Sequence, residues 1–302
     1  MSRSPAADRD PERVLRRLEW TVLRRLDGLL QGDYRTLLRG HGLDLADLRE
    51  YQLNDDVRHI DWNATARLQT PYVRVFNEDR QIDFWFLLDL SASVEFGSGG
   101  VRKSALAAEL TAALARLMTR NGNRVGAILY RNGVDEVVPA RAGRRQVLHL
   151  LARLARDEAQ AGRETALAEL LEAAHRMLRR RSAVFIVSDF IGLPGWDKPL
   201  GLLARRHETV AVRLLDPLEL ELPDLGLVVM QDAETGEQLF VDTRDAGFRG
   251  RFAQAAAAHE QALRESFAAA GVDCLELATD ERLDEALLRF VRLRSRRGRA
   301  AA

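Results

Sequence analysis

Asp89, Ser91 and Ser93 close the apolar run Asp83-Phe84-Trp85-Phe86-Leu87-Leu88-Asp89 and spell Asp-x-Ser-x-Ser. A carboxylate and two hydroxyls so close together are hard oxygen donors of the kind that hold a small divalent cation. Magnesium favours octahedral oxygen ligation and keeps several of its waters. The same residue types also cap helices and close turns, where they satisfy loose backbone N–H groups with no metal present. What separates the two readings is whether further oxygen donors reach the same point.

Two more donors are placed to do so. Thr165 lies in Gly162-Arg163-Glu164-Thr165, a loop that opens a helical stretch, and Asp189 follows the apolar run Ser182-Ala183-Val184-Phe185-Ile186-Val187. In a doubly wound sheet the carboxyl ends of neighbouring parallel strands lie side by side, and ligands bind in the crevice outside them. Asp89, Ser91, Ser93, Thr165 and Asp189 are therefore expected to converge on one point.

That expectation needs the right scaffold, and the patterning from residue 80 onward supplies it. The run Asp83–Leu88 is short, aromatic and apolar throughout, which reads as a strand buried on both faces. Leu106, Leu110, Leu114 and Leu117 mark a helix over Ser104–Arg120, followed by a strand over Arg124–Tyr130 and, across the turn signal Asn132-Gly133, a hairpin partner over Val134–Pro139. Helices over Gln146–Arg156 and Ala166–Arg180, a strand over Ser182–Val187, a helix through Leu202 and Leu203 and a strand over Thr209–Leu215 continue the alternation. Residues 218–243 interrupt it as a hairpin insertion, with strands over Leu227–Met230 and Gln238–Val241. A helix over Phe252–Ala269, a strand around Cys274 and a helix from Asp280 to about Arg294 complete the chain. The result is an α/β fold with a doubly wound, mainly parallel sheet of Rossmann type and right-handed crossovers. Upstream, residues 1–11 read as disordered, and residues 12–79 read as a small N-terminal subdomain. Its parts are a helix carrying Val14, Leu15, Leu18, Val22, Leu23, Leu26 and Leu30, and short strands over Val57–Trp62 and Tyr72–Phe76. His59 alternates with apolar neighbours and is given no role. Residues 80–294 form the main domain, and 295–302 a basic, disordered tail.

Composition narrows the function classes. The 302 residues carry 45 basic and 45 acidic side chains, so no global field draws in nucleic acid or an anionic membrane. Cys274, the single cysteine, excludes an intrachain disulfide and any paired-cysteine metal knuckle, and its apolar setting reads as a buried structural thiol. There is no signal-peptide pattern and no apolar run of membrane-spanning length, so a soluble cytoplasmic protein without membrane insertion is expected. No phosphate-binding Gly-x-x-x-x-Gly-Lys loop, His-Glu-x-x-His motif or nucleophile and base pair stands out. A non-enzymatic binding module is the leading class; the alternative is a hydrolase whose magnesium polarises a phosphoryl or acyl group. The arginines of the first helix and the tail lack the aromatic interleaving of a nucleic-acid surface.

Asp-x-Ser-x-Ser, a loop threonine and an aspartate after a buried strand, in that order, resemble the metal-ion-dependent adhesion site of von Willebrand factor A domains. The resemblance implies that Ser91 and Ser93 ligate magnesium, or manganese, directly, Thr165 directly or through water, and Asp89 and Asp189 mostly through waters. Leu48-Arg49-Glu50-Tyr51, Asp55-Asp56-Val57-Arg58-His59-Ile60-Asp61-Trp62, Ala66-Arg67 and Val73-Arg74-Val75-Phe76-Asn77-Glu78-Asp79-Arg80 resemble the signature of the bacterial domain-of-unknown-function family 58. Neutral hydroxyls from Ser91, Ser93 and Thr165 would leave the cation electron-poor, so a protein partner is expected to complete it with a carboxylate. The family 58 likeness suggests that this partner is a MoxR-type AAA+ ATPase, with this chain as adaptor or co-chaperone.

Overall fold

The structure, a computed structural model, describes residues 11–18, 47–52, 62–75, 82–156, 163–233 and 235–300. Its centre is a six-stranded sheet in the order β10-β7-β6-β3-β4-β5. The strands are β3 (Asp83–Asp89), β4 (Arg124–Tyr130), β5 (Val134–Arg141), β6 (Ala183–Ser188), β7 (Glu208–Leu215) and β10 (Asp273–Ala278). All neighbours pair in parallel except β5, which returns antiparallel to β4 across Asn132-Gly133 and forms one edge. Pro139, which has no N–H to give a ladder, is tolerated on that edge. This is a mixed α/β, Rossmann-like architecture with a mostly parallel sheet, as the alternating pattern implied.

Central strands read as unbroken apolar runs because both faces are covered. Phe84, Phe86 and Leu88 point into one core with the helices Lys103–Arg120, Arg144–Leu154 and Leu283–Ala300. Leu87, with Val184 and Ile186 of β6, points into a second core closed by Leu167–Met177, Asp197–Arg206 and Ala246–Ala270. Phe86 and Phe185, partners in the β3/β6 register, stack with ring centroids 5.4 Å apart.

At the N-terminus the helix Pro11–Leu18 buries Leu15 and Leu18 in the first core, and its arginines meet carboxylates: Arg16 with Glu12, Arg17 with Glu109. The stripe beyond Leu18 and His59 lie outside the described residues. β2 (Tyr72–Val75) forms as expected and pairs antiparallel with β1 (Asp47–Glu50). Residues 57–61 of the other expected short strand lie outside the described residues, and Trp62, its last residue, opens a helix instead. β8 (Leu227–Gln231) and β9 (Gln238–Asp242) make the anticipated hairpin, closed at its base where the Thr243 hydroxyl donates to the Gly226 carbonyl (2.7 Å). The helix Ala246–Ala270 starts ahead of Phe252 because the Asp245 carboxylate caps it, accepting from the Gly247 N–H at 2.8 Å. The last helix does not stop near Arg294: it runs to Ala300, correcting the disordered tail. Arg294 is anchored by Glu208 and Asp273, both at 2.9 Å, which carries the helix past the sheet edge. Among the described residues no helix is long and apolar enough to cross a membrane.

Candidate metal centre

β3 sits where the chain reverses its direction of winding, with β4 laid down on one side and β6 on the other. The register Leu88↔Val187 then brings Asp89 level with Ser188 and places Asp189 one residue further out. Both carboxylate oxygens of Asp89 are held: Oδ2 accepts from the Ser188 hydroxyl at 2.6 Å and Oδ1 from the Ser91 N–H at 3.0 Å. Ser91 Oγ and Ser93 Oγ lie 3.1 Å apart, the second carried on a single 3-10 turn, Ala92–Glu95.

Asp189 is gripped from two directions. Its Oδ1 accepts from the Ile191 N–H (3.1 Å) and its Oδ2 from the Lys103 ammonium (2.7 Å). Lys103 opens the helix after the motif, is wholly buried, and also donates to Glu219 Oε1 at 2.6 Å. Past Asp189 the chain turns through Phe190 in the left-handed region (φ 58°), where its N–H donates to Ser188 Oγ (2.9 Å). A non-glycine residue in that conformation is strained, and here two side-chain hydrogen bonds hold it.

Thr165 reaches the same edge through its backbone. Its carbonyl accepts from the Leu193 N–H (2.8 Å), and Gly192 (φ 135°) packs so tightly that a Cβ there would lie 2.3 Å from that carbonyl oxygen. Tyr130, at the end of β4, accepts from the Ala166 N–H at its hydroxyl (2.9 Å) and from the Leu90 N–H at its carbonyl (2.8 Å), joining the threonine loop to the serine motif. Arg163 is directed away, to the Asn132 carbonyl at 2.9 Å and to the Glu169 carboxylate. All five anticipated residues are buried, with exposures from 0% for Asp89 to 8% for Ser93.

The electrostatics leave a surplus of negative charge. Burial, and secondly the charge of Asp189, push the Asp89 carboxyl up to about 6, although the Ser188 and Ser91 hydrogen bonds oppose them. Burial works against the Lys103 ammonium, but Asp189 and Glu219 outweigh it and hold its pKa above the ordinary range. Asp189 and Glu219 thus share one ammonium, and the Asp89 carboxylate lies within the field of Asp189 without an ammonium of its own. Two adjacent corners of a magnesium octahedron lie about 3.0 Å apart, given bonds of about 2.1 Å, and the two serine oxygens match that edge. Among the described residues no group of three or more His, Cys, Asp and Glu is placed to hold a metal, so any ion held here would have to draw on hydroxyls as well as carboxylates. The donor set suits a hard divalent cation.

A second carboxylate supports the first. Asp216, at the end of β7 and fully buried, accepts from the Ser98 N–H (2.9 Å) and hydroxyl (2.7 Å), the Leu218 N–H (3.0 Å) and the Thr279 hydroxyl (2.6 Å). Burial alone would raise its pKa, but these donors overcome it and lower it. Asp216 thereby pins the loop that follows Ser93 to the ends of β7 and β10. Around the site Phe96, Val101, Ile191 and Leu193 stand exposed on the two flanking loops, an apolar rim around polar donors.

Lys103, Ser188, Tyr130, Asp216 and Glu219 escaped the sequence reading. Asp216-Pro217-Leu218-Glu219 carried a readable signal, the capping-box spacing, and the structure forms it, with the Glu219 carboxylate accepting from the Asp216 N–H. Lys103 carried none, since lysine is rarely buried without a partner and its partners lie 86 and 116 residues away.

A mostly parallel α/β sheet with a buried oxygen-donor cluster at its carboxyl edge defines the class of the protein. Within that class the chain belongs to the family described as Protein of unknown function DUF58, whose model matches residues 47–262. It is similar to uncharacterized proteins of Mycobacterium tuberculosis and Mycobacterium bovis, each 40% identical over 284 residues, 94% of this chain and 89% of the relative. Among solved structures, the conserved hypothetical protein BatB from Bacteroides thetaiotaomicron is similar over 71% of this chain and 99% of its own, at 13% identity and a TM-score of 0.45.

Proposed function

We propose that the chain is a non-enzymatic, divalent-metal-dependent protein-binding module of the von Willebrand factor A type. The observation that carries this reading is the pairing of buried Asp89 and Asp189 beside two serine hydroxyls set at an octahedral edge, all inside an apolar rim. Ser91, Ser93 and Thr165 would hold magnesium or manganese, with Asp89 and Asp189 behind them. The ion, bound largely by neutral hydroxyls, would supply an electron-poor centre that favours an external carboxylate. Ser188 and Lys103 keep the two aspartates oriented, while Tyr130 and Gly192 hold the threonine loop in place. Phe96, Val101, Ile191 and Leu193, all exposed, give a partner apolar contact beside the polar centre, as exposed apolar side chains grouped together do at interaction sites.

The resemblance to von Willebrand factor A domains and to family 58 suggests a MoxR-type AAA+ ATPase as the partner, with this chain acting as its adaptor or co-chaperone. Binding of a purified MoxR-type ATPase in magnesium, abolished by chelator and by Ser91→Ala with Ser93→Ala, is the expected result. Undiminished binding in chelator would overturn metal dependence. Magnesium-dependent turnover of phosphate or acyl esters, lost in Asp189→Ala, would overturn the non-enzymatic reading.

A further inference from the structure

We propose that the opposite edge of the sheet, where β6 and β7 begin, seats the protein on an anionic lipid bilayer. The parallel register Ala183↔Glu208 sets the chain at Arg181 beside the chain at Arg206. Arg179 and Arg180 directly precede Arg181, and Arg205 sits in the last turn of the helix Asp197–Arg206. Five exposed arginines therefore share one end of the sheet in a chain whose formal charges cancel overall. Neighbouring charges are already neutralised: Arg176 pairs with Glu172, and Arg294 with Glu208 and Asp273. Arg206 donates to the Arg179 carbonyl, which ties the two arginine segments together. Among the described residues none of the five meets a carboxylate. His207, buried between them with neither ring nitrogen hydrogen-bonded, registers the local field. Burial first, and then the charges of Arg206, His175 and Arg181, bring its pKa down to about 4.

Arginines alone suit any polyanion; the apolar side chains among them select the bilayer. Met177 ends the helix that leads into Arg179–Arg181. Leu202 lies three and four residues before Arg205 and Arg206, on the same helix face, and both apolar side chains are exposed. Apolar side chains flanked by arginines fit the boundary between headgroups and acyl chains, where each basic side chain near an anionic leaflet adds its attraction. A nucleic-acid backbone makes no use of methionine and leucine. The last helix is anchored at this same end of the sheet by Arg294. Seated this way, the protein holds the carboxyl edge of its sheet away from the membrane. The proposal does not depend on a metal being bound there.

Vesicle sedimentation tests it, with phosphatidylcholine alone and with added phosphatidylglycerol, using the full chain. Wild-type protein is expected to bind only the anionic vesicles. Arg180→Glu with Arg205→Glu, both at exposed positions, should weaken binding about tenfold or more with unchanged thermal unfolding. Leu202→Ser should weaken it at raised salt, where the charge attraction is screened. No sedimentation, equal binding to neutral vesicles, or wild-type binding by the double-Glu variant would overturn the proposal. Wild-type binding by Leu202→Ser at raised salt, or capture of duplex DNA with vesicles ignored, would overturn the choice of a bilayer.

Discussion

A lysine with no exposed surface is the residue on which the candidate centre turns. Lys103 neutralises Asp189 at 2.7 Å, and removing it leaves a buried carboxylate next to another. Lys103→Met is expected to cost about 3–5 kcal/mol in chelator, measured by urea unfolding. Magnesium should raise the unfolding temperature of this variant more than that of wild type, because the ion then compensates the charge that the ammonium had covered. His207 makes a prediction about pH. Its pKa falls from the ordinary 6.5 to about 4 in the folded chain, so between those values the unfolded state binds the extra proton. Stability is therefore present above pH 6.5 and lost as pH falls toward 4, by up to about 3 kcal/mol. His207→Phe should flatten that part of the stability profile, as read from urea midpoints across the range.

At the scale of elements, the loops leaving β3, β6 and β7 act as one assembly. Gly192 is its tightest joint: a Cβ there meets the Thr165 carbonyl oxygen at 2.3 Å, and its φ of 135° is one that other residues rarely adopt. Gly192→Ala is expected to destabilise the chain by about 1–3 kcal/mol. It should also shift the Thr165 and Ala166 amide resonances more than those of the remote hairpin β8–β9. Asp216→Ala removes the acceptor of four donors and frees the loop carrying Ser98; faster amide exchange at Ser98 and Leu218 would report it. The strands were legible because burial on both faces writes itself as unbroken apolar runs, as in Phe84–Leu88 and Val184–Val187. Ends were harder to read: the cap at Asp245 and the anchoring of Arg294 depend on contacts that periodicity does not encode.

For the whole molecule, topology does what no local motif does, placing Asp89 and Asp189 at the ends of neighbouring strands although they lie far apart in the chain. That convergence was readable from the alternation of strands and helices, because a parallel doubly wound sheet has one carboxyl edge. The lysine and glutamate behind it were not, since their roles arise only once the helix after the motif and the short helix after β7 meet. The fold thus has a carboxylate-rich edge with an apolar rim at one end and an arginine cluster at the other. Titration of magnesium into the apo chain by calorimetry tests the central claim most directly, with Ser91→Ala plus Ser93→Ala as the comparison and circular dichroism confirming an unchanged fold. Saturable one-site binding by wild type, lost in the double variant, is the predicted result. No binding by wild type, or the same affinity in both proteins, would contradict it.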